Sequence, residues 1–301
     1  MSLPQPGIFA LGTPENAYLE LDLAEGVDVD EVLRGLVNTQ NFTTEGTVNL
    51  VIGVRPSLWR AKRPDATPAD AEDWTQPITG SGGFEMPATP HDLWVWIAGP
   101  DRAVLFDATM EVRSAIAHRA SVASETAGWH YKQSRDLTGF VDGSANPNLL
   151  DAPAVACVPA GRQGEGACIL VYQLWHHEQA WLELSVHDQE LAMGRSKQAS
   201  IEMSEAEKPP TSHVARTVID VDGHELDIFR HNVAYGTTGD HGTVFVGFSQ
   251  DQWRQFEMLR RMAGGDGVRD TLTRFTTPLS GAVYIIPSAT ALRAYVEPSD
   301  D

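Results

Sequence analysis

Basic residues are scarce in this chain: 22 lysines and arginines stand against 41 aspartates and glutamates, a formal charge of −19 over 301 residues. That balance excludes nucleic acid as a partner, because a polyphosphate backbone is bound through a basic surface. It argues equally against docking on an anionic membrane. No apolar run approaches the roughly 20 residues of a membrane span. Ahead of Arg34 there is no basic residue, and Pro4, Pro6 and Pro14 interrupt the apolar stretches, so the charged and apolar regions of a secretory signal are missing. Cysteine occurs twice, at Cys157 and Cys168. Their spacing across a Gly-rich loop permits pairing, but two thiols in a reducing compartment is the reading adopted. A soluble cytoplasmic protein is expected, whose acidic exterior weakly favours cationic substrates.

The length suits two domains or one large one, and 42% apolar residues support a sizeable core. Tyr18 to Leu23 alternates with period two, as a half-buried strand does. Val29, Val32, Leu33 and Leu36 then recur at helical spacing, and Leu50 to Val54 and Leu93 to Ile97 read as buried strands. Between those strands, residues 61–90 are rich in Pro, Asp, Thr and Gly and read as a surface excursion. Val104 to Ile116 forms one apolar helix face. A second round follows. Val51 to Val54 with Trp59-Arg60 is echoed by Phe245 to Phe248 with Trp253-Arg254. Ile169 to Leu174 takes the part of a first strand and Ala282 to Ile286 that of a last. The expectation is two α+β halves, 1–150 and 151–301, packed together.

Two regions carry the chemistry. Gly139-Phe140-Val141-Asp142-Gly143-Ser144-Ala145-Asn146-Pro147 brackets one carboxylate with glycines and ends in a turn former. Further along come Ser212-His213-Val214-Ala215-Arg216, then Arg230-His231-Asn232-Val233-Ala234-Tyr235-Gly236, then Phe245-Val246-Gly247, and finally Gly281-Ala282 with Pro287-Ser288. In this order the elements resemble dye-decolourising peroxidases, most closely the B-type bacterial subgroup, over nearly the whole chain from Tyr18 to Ser288.

The resemblance implies an α+β fold of two ferredoxin-like halves, of the dimeric α/β-barrel type, with antiparallel sheets and peripheral helices. It implies one haem b per chain, and a peroxidase that reduces hydrogen peroxide through a ferryl intermediate while oxidising dyes, phenols or other one-electron donors. Imidazole suits haem iron, but with ten histidines composition cannot select one; by resemblance His213 is the proximal ligand. Asp270 matches the acid that accepts the second ring N–H of such a ligand. Asp142 is the distal proton shuttle. Arg230, always charged, stabilises charge as the O–O bond breaks, and Asn232 holds peroxide or a water. Arg195 meets a propionate, with Arg216 a weaker alternative, and Phe245 is a pocket wall. Large donors reach the haem by electron transfer through Tyr235, Tyr131 or Trp253.

Manganese-oxidising members carry an acid three positions after the distal aspartate, where this chain has Ala145, so manganese oxidation is not expected. Nor is packing into an encapsulin shell, since the chain ends soon after Pro298. Homo-oligomerisation is left open. A non-catalytic haem carrier or sensor, and a chlorite-dismutase-like enzyme, are the rival readings. His176-His177-Glu178 and Gly264-Gly265-Asp266-Gly267 read as surface and turn, because the first lacks further ligands at helix spacing and the second lacks a phosphate-loop lysine.

Overall fold

The computed structural model describes residues 2–10, 12–39 and 48–296; the chain end around Pro298 lies outside them. Ten strands join into one antiparallel sheet. Starting at strand His241–Ser249, the order runs through Val233–Gly236, Ala120–Trp129, Glu15–Leu23, Leu93–Gly99, Asn49–Val54 and Ala282–Ile286 to Cys168–His177. Cys168–His177 then pairs back onto His241–Ser249, from Ile169 opposite Ser249 to His176 opposite Gly242, so the sheet closes on itself as a barrel. Two short strands, Phe229–Arg230 and Thr276–Pro278, extend the rim.

Within residues 15–129 the four strands take spatial order fourth, first, third, second. The strands of residues 168–286 repeat that order, with Ala282–Ile286 fourth, Cys168–His177 first, His241–Ser249 third and the 229–236 segment second. Cys168–His177 and Ala282–Ile286 thus hold the first and last positions expected of them. The echo between residues 51–60 and 245–254 is out of step, however. Asn49–Val54 is a second strand and His241–Ser249 a third, whose counterpart is Leu93–Gly99. Exposure agrees: Trp59 is fully buried, whereas Trp253 is 52% exposed.

Closure gives most strands two covered faces, whereas Ala120–Trp129 turns Ser121, Ala123, Glu125 and Ala127 to solvent. Leu19, Leu21, Val95, Ile97, Ile52, Val171 and Val283 point outward into one core, under the helices. Tyr18, Trp94, Trp96, Val51, Tyr172, Val246 and Tyr284 point inward into a second core that fills the barrel. The alternation of Tyr18 to Leu21 therefore separates two cores rather than core from solvent. Two polar pairs are buried in the interior: Tyr284 donates to Glu20 Oε1 at 2.7 Å, and Trp96 Nε1 donates to Asn16 Oδ1 at 2.9 Å.

Helices Val29–Val37, Arg102–Ala115 and Gln252–Met262 are each started by an aspartate whose side chain accepts from the first turn, at Asp28, Asp101 and Asp251. Residues 61–90 are not a solvent excursion: Ala71, Trp74 and Met86 are buried, and Trp74 meets Phe256 of the Gln252–Met262 helix edge-on at 5.2 Å. The first half thus covers a helix of the second.

Barrel closure rests on close backbone approach at Gly242, where a Cβ would sit 1.8 Å from the Trp175 carbonyl oxygen. Backbone cannot move aside as a flexible side chain can. Gly242→Ala is expected to destabilise the fold by about 1–3 kcal/mol, read as a lower midpoint in urea unfolding.

Candidate active site

Against the outer face of the second half lies a cavity of about 210 Å³, partly open to solvent. Strands Cys168–His177 and His241–Ser249 supply Val171, Gln173, Thr243 and Phe245 as one wall, and helix Gln252–Met262 supplies Met258, Leu259 and Met262.

His213 opens the short helix His213–Thr217, whose first turn is capped by the Ser212 hydroxyl. Gly194, with φ of +84°, lets the preceding helix end against this cap; a Cβ there would lie 2.6 Å from Ser212 Oγ. The His213 ring borders the cavity. Its Nδ1 lies 2.7 Å from Oδ2 of fully buried Asp270, whose other oxygen accepts from Leu272 N–H at 2.8 Å. Nδ1 is therefore the protonated nitrogen, and Nε2, which has no hydrogen-bond partner among the described residues, is left as a lone-pair donor beside the cavity.

Facing elements bring the other candidates. Gly139 and Gly143 have φ of +91° and +70°, the left-handed conformation that glycine tolerates. Arg135 fastens the loop by donating to the carbonyls of Gly139, Lys197 and Gln198 at 2.7, 2.8 and 3.1 Å. Asp142 Oδ1 accepts from Asn232 Nδ2 at 2.9 Å, and Asn232 Oδ1 accepts from Val246 N–H at 3.0 Å. Asn232 is thus engaged at both ends of its amide, with one N–H of Nδ2 holding Asp142. Arg230 borders the same cavity, and its guanidinium has no ion pair or hydrogen bond with another described residue.

The remaining candidates divide. Phe245 lines the cavity as expected. Arg195 lines it too, but its guanidinium already donates to Ser200 O at 2.8 Å and pairs with Glu202 at 3.2 Å. Arg216 is buried elsewhere, donating to Arg261 O and pairing with Asp266, which makes it structural.

Three features were not read from the sequence. Asn146 clamps the Arg230 backbone in both directions: its Nδ2 donates to Arg230 O at 2.7 Å and its Oδ1 accepts from Arg230 N–H at 3.0 Å. A primary amide carries one donor and one acceptor spaced like a peptide group, so the Asn-Pro signal could have suggested a clamp as well as a turn. His177 is buried rather than on the surface; it borders the cavity and its Nε2 meets Thr243 Oγ1 at 3.1 Å. Asp136 also borders the cavity, where burial pushes its carboxyl up to about 6.

Burial also holds imidazoles neutral. It lowers His177 to about 4 and His231 to about 3. His231 lies between Arg230 and Asn232 in sequence but packs on Trp96, with ring centroids 4.5 Å apart. Among the described residues no cluster of three or more His, Cys, Asp or Glu could hold a metal ion. A single anchored imidazole at an apolar cavity instead suits a flat prosthetic group that brings the other metal ligands itself. The cavity offers, in one enclosure, a nitrogen donor, a carboxylate fixed by an amide and an unpaired guanidinium.

Residues 133–291 match the family model "Dyp-type peroxidase, C-terminal". A dye-decolorizing peroxidase of Mycolicibacterium paratuberculosis is 33% identical over 300 residues, covering 95% of this chain and 83% of that protein. Among solved structures, a DypB variant from Rhodococcus jostii RHA1 in complex with heme superposes with a TM-score of 0.86 at 30% identity, covering 94% of this chain and 95% of that one. The encapsulated DyP-type peroxidase from Mycobacterium smegmatis does so at 0.89 and 28% identity, covering 99% of each chain.

Removing the clamp should loosen the cavity: Asn146→Ala leaves a backbone donor and acceptor of Arg230 unpaired. A loss of about 1–3 kcal/mol is expected on urea unfolding, with Asp142 and Arg230 still present. The buried imidazoles set an acid limit. A base whose folded value is depressed contributes its full stability above 6.5, its ordinary value, and loses it as pH falls toward the folded value. Unfolding free energies measured between pH 7 and 4 should therefore fall less steeply in His177→Gln than in the parent chain.

Proposed function

The chain belongs to the Dyp-type peroxidase family, and from that membership and the site geometry we propose that it is a haem peroxidase, reducing hydrogen peroxide at the expense of one-electron donors such as dyes and phenols. One observation carries the reading: Asp142 held by Asn232, the unpaired Arg230 and the Asp270-anchored His213 all border one cavity. A haem carrier has no use for a proton relay beside a charge stabiliser, and no observation favours a chlorite-dismutase-like reaction.

His213 would ligate haem b through Nε2, with Asp270 fixing the tautomer and orientation of the ring. Phe245, Val171 and Met258 would pack on the macrocycle, and Arg195 would face a propionate while keeping Glu202 as second partner. When bound, the haem supplies the redox-active iron. The proximal and distal residues do the rest.

The hydrogen bond from Asn232 to Oδ1 holds the Asp142 carboxyl in place and leaves Oδ2 without a partner among the described residues, positioned to take a proton from one peroxide oxygen. The same carboxyl then returns that proton to the departing oxygen, which leaves as water. Arg230, whose guanidinium borders the same cavity unpaired, would stabilise the negative charge that develops there. Asn146 keeps the guanidinium and the carboxylate in register.

Two ferredoxin-like halves, divided near residue 150, are supported by the repeated strand order. Electron entry for large donors is supported for Trp253, which is exposed, more than for Tyr235, whose hydroxyl is buried. Ala145 lines the cavity and has no oxygen to offer manganese. No helix among the described residues is long and apolar enough to cross a membrane, in keeping with a cytoplasmic site of action. Encapsulation is a property of the Mycobacterium smegmatis relative, matched over 99% of its solved chain. The expectation against it drew only on the chain end and carries no weight here.

The test is stopped-flow mixing of haem-loaded protein with one equivalent of hydrogen peroxide, following the Soret band. Asp142→Asn and Arg230→Leu should each slow the spectral change by about 10²–10⁴-fold. Parental rates in both variants would remove the proposed roles. His213→Gly should weaken haem retention, and unchanged axial coordination there would remove the ligand assignment.

A further inference from the structure

We propose that Cys157 and Cys168 form a modification site, a dithiol that hydrogen peroxide closes to a disulfide. The sequence reading treated them as two separate thiols. In the fold they stand directly opposite each other in an antiparallel bridge, where the helix Ala152–Ala156 ends and strand Cys168–His177 begins. Cross-strand partners in such a bridge have Cα separations within the range that a disulfide spans. The bridge is flanked by backbone hydrogen bonds from Val158 N–H to Ala167 O at 2.8 Å and from Gly166 N–H to Val158 O at 2.9 Å, so the two chains cannot drift apart. The sulfurs lie 2.8 Å from each other, inside the ordinary contact distance of two sulfur atoms and only about 0.75 Å farther apart than bonded sulfurs. Both residues belong to the core inside the barrel, away from the cavity, and neither borders it.

The chemistry balances with peroxide alone. Cys157, which is 5% exposed where Cys168 is fully buried, meets the oxidant first. Its sulfur attacks one peroxide oxygen; an S–O bond forms, the O–O bond breaks, and the other oxygen leaves as water with the thiol proton. The Cys168 sulfur then attacks the sulfenic sulfur of Cys157, forming the S–S bond as the S–O bond breaks and a second water departs with the second thiol proton. Two thiols are oxidised by two electrons and one peroxide is reduced to two waters. Burial, which raises the Cys168 thiol well above its ordinary range, disfavours the thiolate, so the bridge accumulates over sustained exposure rather than in each turnover.

Closure would fasten the loop between the two cysteines. That loop already grips the first half: Gly164 N–H donates to Asp65 O at 3.1 Å, Gln163 Nε2 to Pro64 O at 2.9 Å, and Glu165 Oε1 accepts from Ser2 N–H at 2.6 Å. A covalent link at its base holds the entry into the second half against the first.

The test uses the haem-loaded protein, given repeated additions of hydrogen peroxide, quenched in acid, alkylated under denaturing conditions without reductant and weighed intact. The expected product is about 2 Da lighter than the untreated chain, takes up no alkyl group, yields a linked Cys157–Cys168 peptide, returns to two alkylatable thiols with dithiothreitol and melts a few degrees higher. Cys168→Ala should instead accumulate oxygen on Cys157 and show no gain in melting temperature. Two alkylatable thiols after treatment, or sulfinic acid on Cys157 in the parent chain, would overturn the proposal. So would a bridge already complete before peroxide is added. None of these readouts depends on the assignment of His213, Asp142 or Arg230.

Discussion

The pairing of Cys168–His177 with His241–Ser249 is the constraint from which the remaining architecture follows. Once these strands join, the sheet has no free edge at that seam, and each strand turns one face into a closed interior. The inward residues meet across a closed interior, where aromatic rings fill the volume and Tyr284 donates to Glu20. The outward residues have to be covered by helices. Along the second half that cover is incomplete, and the gap between strand wall and helix Gln252–Met262 is the cavity. The candidate site is thus a by-product of how a barrel is clothed.

Inside that gap, functional groups come from segments far apart in sequence, and each is fixed by a partner that does no chemistry. Asp270 orients His213, Asn232 orients Asp142, and Asn146 holds the backbone of Arg230. Arg135 adds a further tie, drawing three carbonyls from two loops onto one guanidinium. The loop that bears Asp142 belongs to the connection between the halves, whereas Arg230 and Asn232 belong to the second. The distal face therefore exists only when the connection is docked, which links the proposed catalysis to the integrity of the fold as a whole.

Much of this was legible beforehand, and the exceptions share a cause. Glycine spacing announced the left-handed turns around Asp142, since positive φ is a local property. Helices at Val29–Val37 and Arg102–Ala115 were legible from apolar spacing. His213 and Asp270 were reachable only through family resemblance, because nothing local separates one histidine from nine others. What failed were inferences about burial by distant chain. Tyr18 to Leu21 alternates, but whether the second face meets water or a barrel interior is decided by strands more than a hundred residues away. Trp74 sits in a stretch of polar composition and His177 beside a second histidine and a glutamate, and both are nonetheless buried. The repeat was real in topology but misaligned in sequence, since an apolar strand running into a helix occurs in both the second and the third positions.

The contact between His231 and Trp96 has a consequence for how the chain tolerates change. Arg230 and Asn232 face the cavity only because the residue between them is turned inward and seated on an indole. A deletion or insertion in the tight turn at Thr237–Asp240 would offset this segment by one position. The imidazole would then rotate outward and the guanidinium would be driven into a nest of aromatic rings, where no solvent or counter-ion could receive it. The slipped pairing is so unfavourable that the barrel rejects it. The packing of the interior thereby proofreads the alignment of side chains that never touch it.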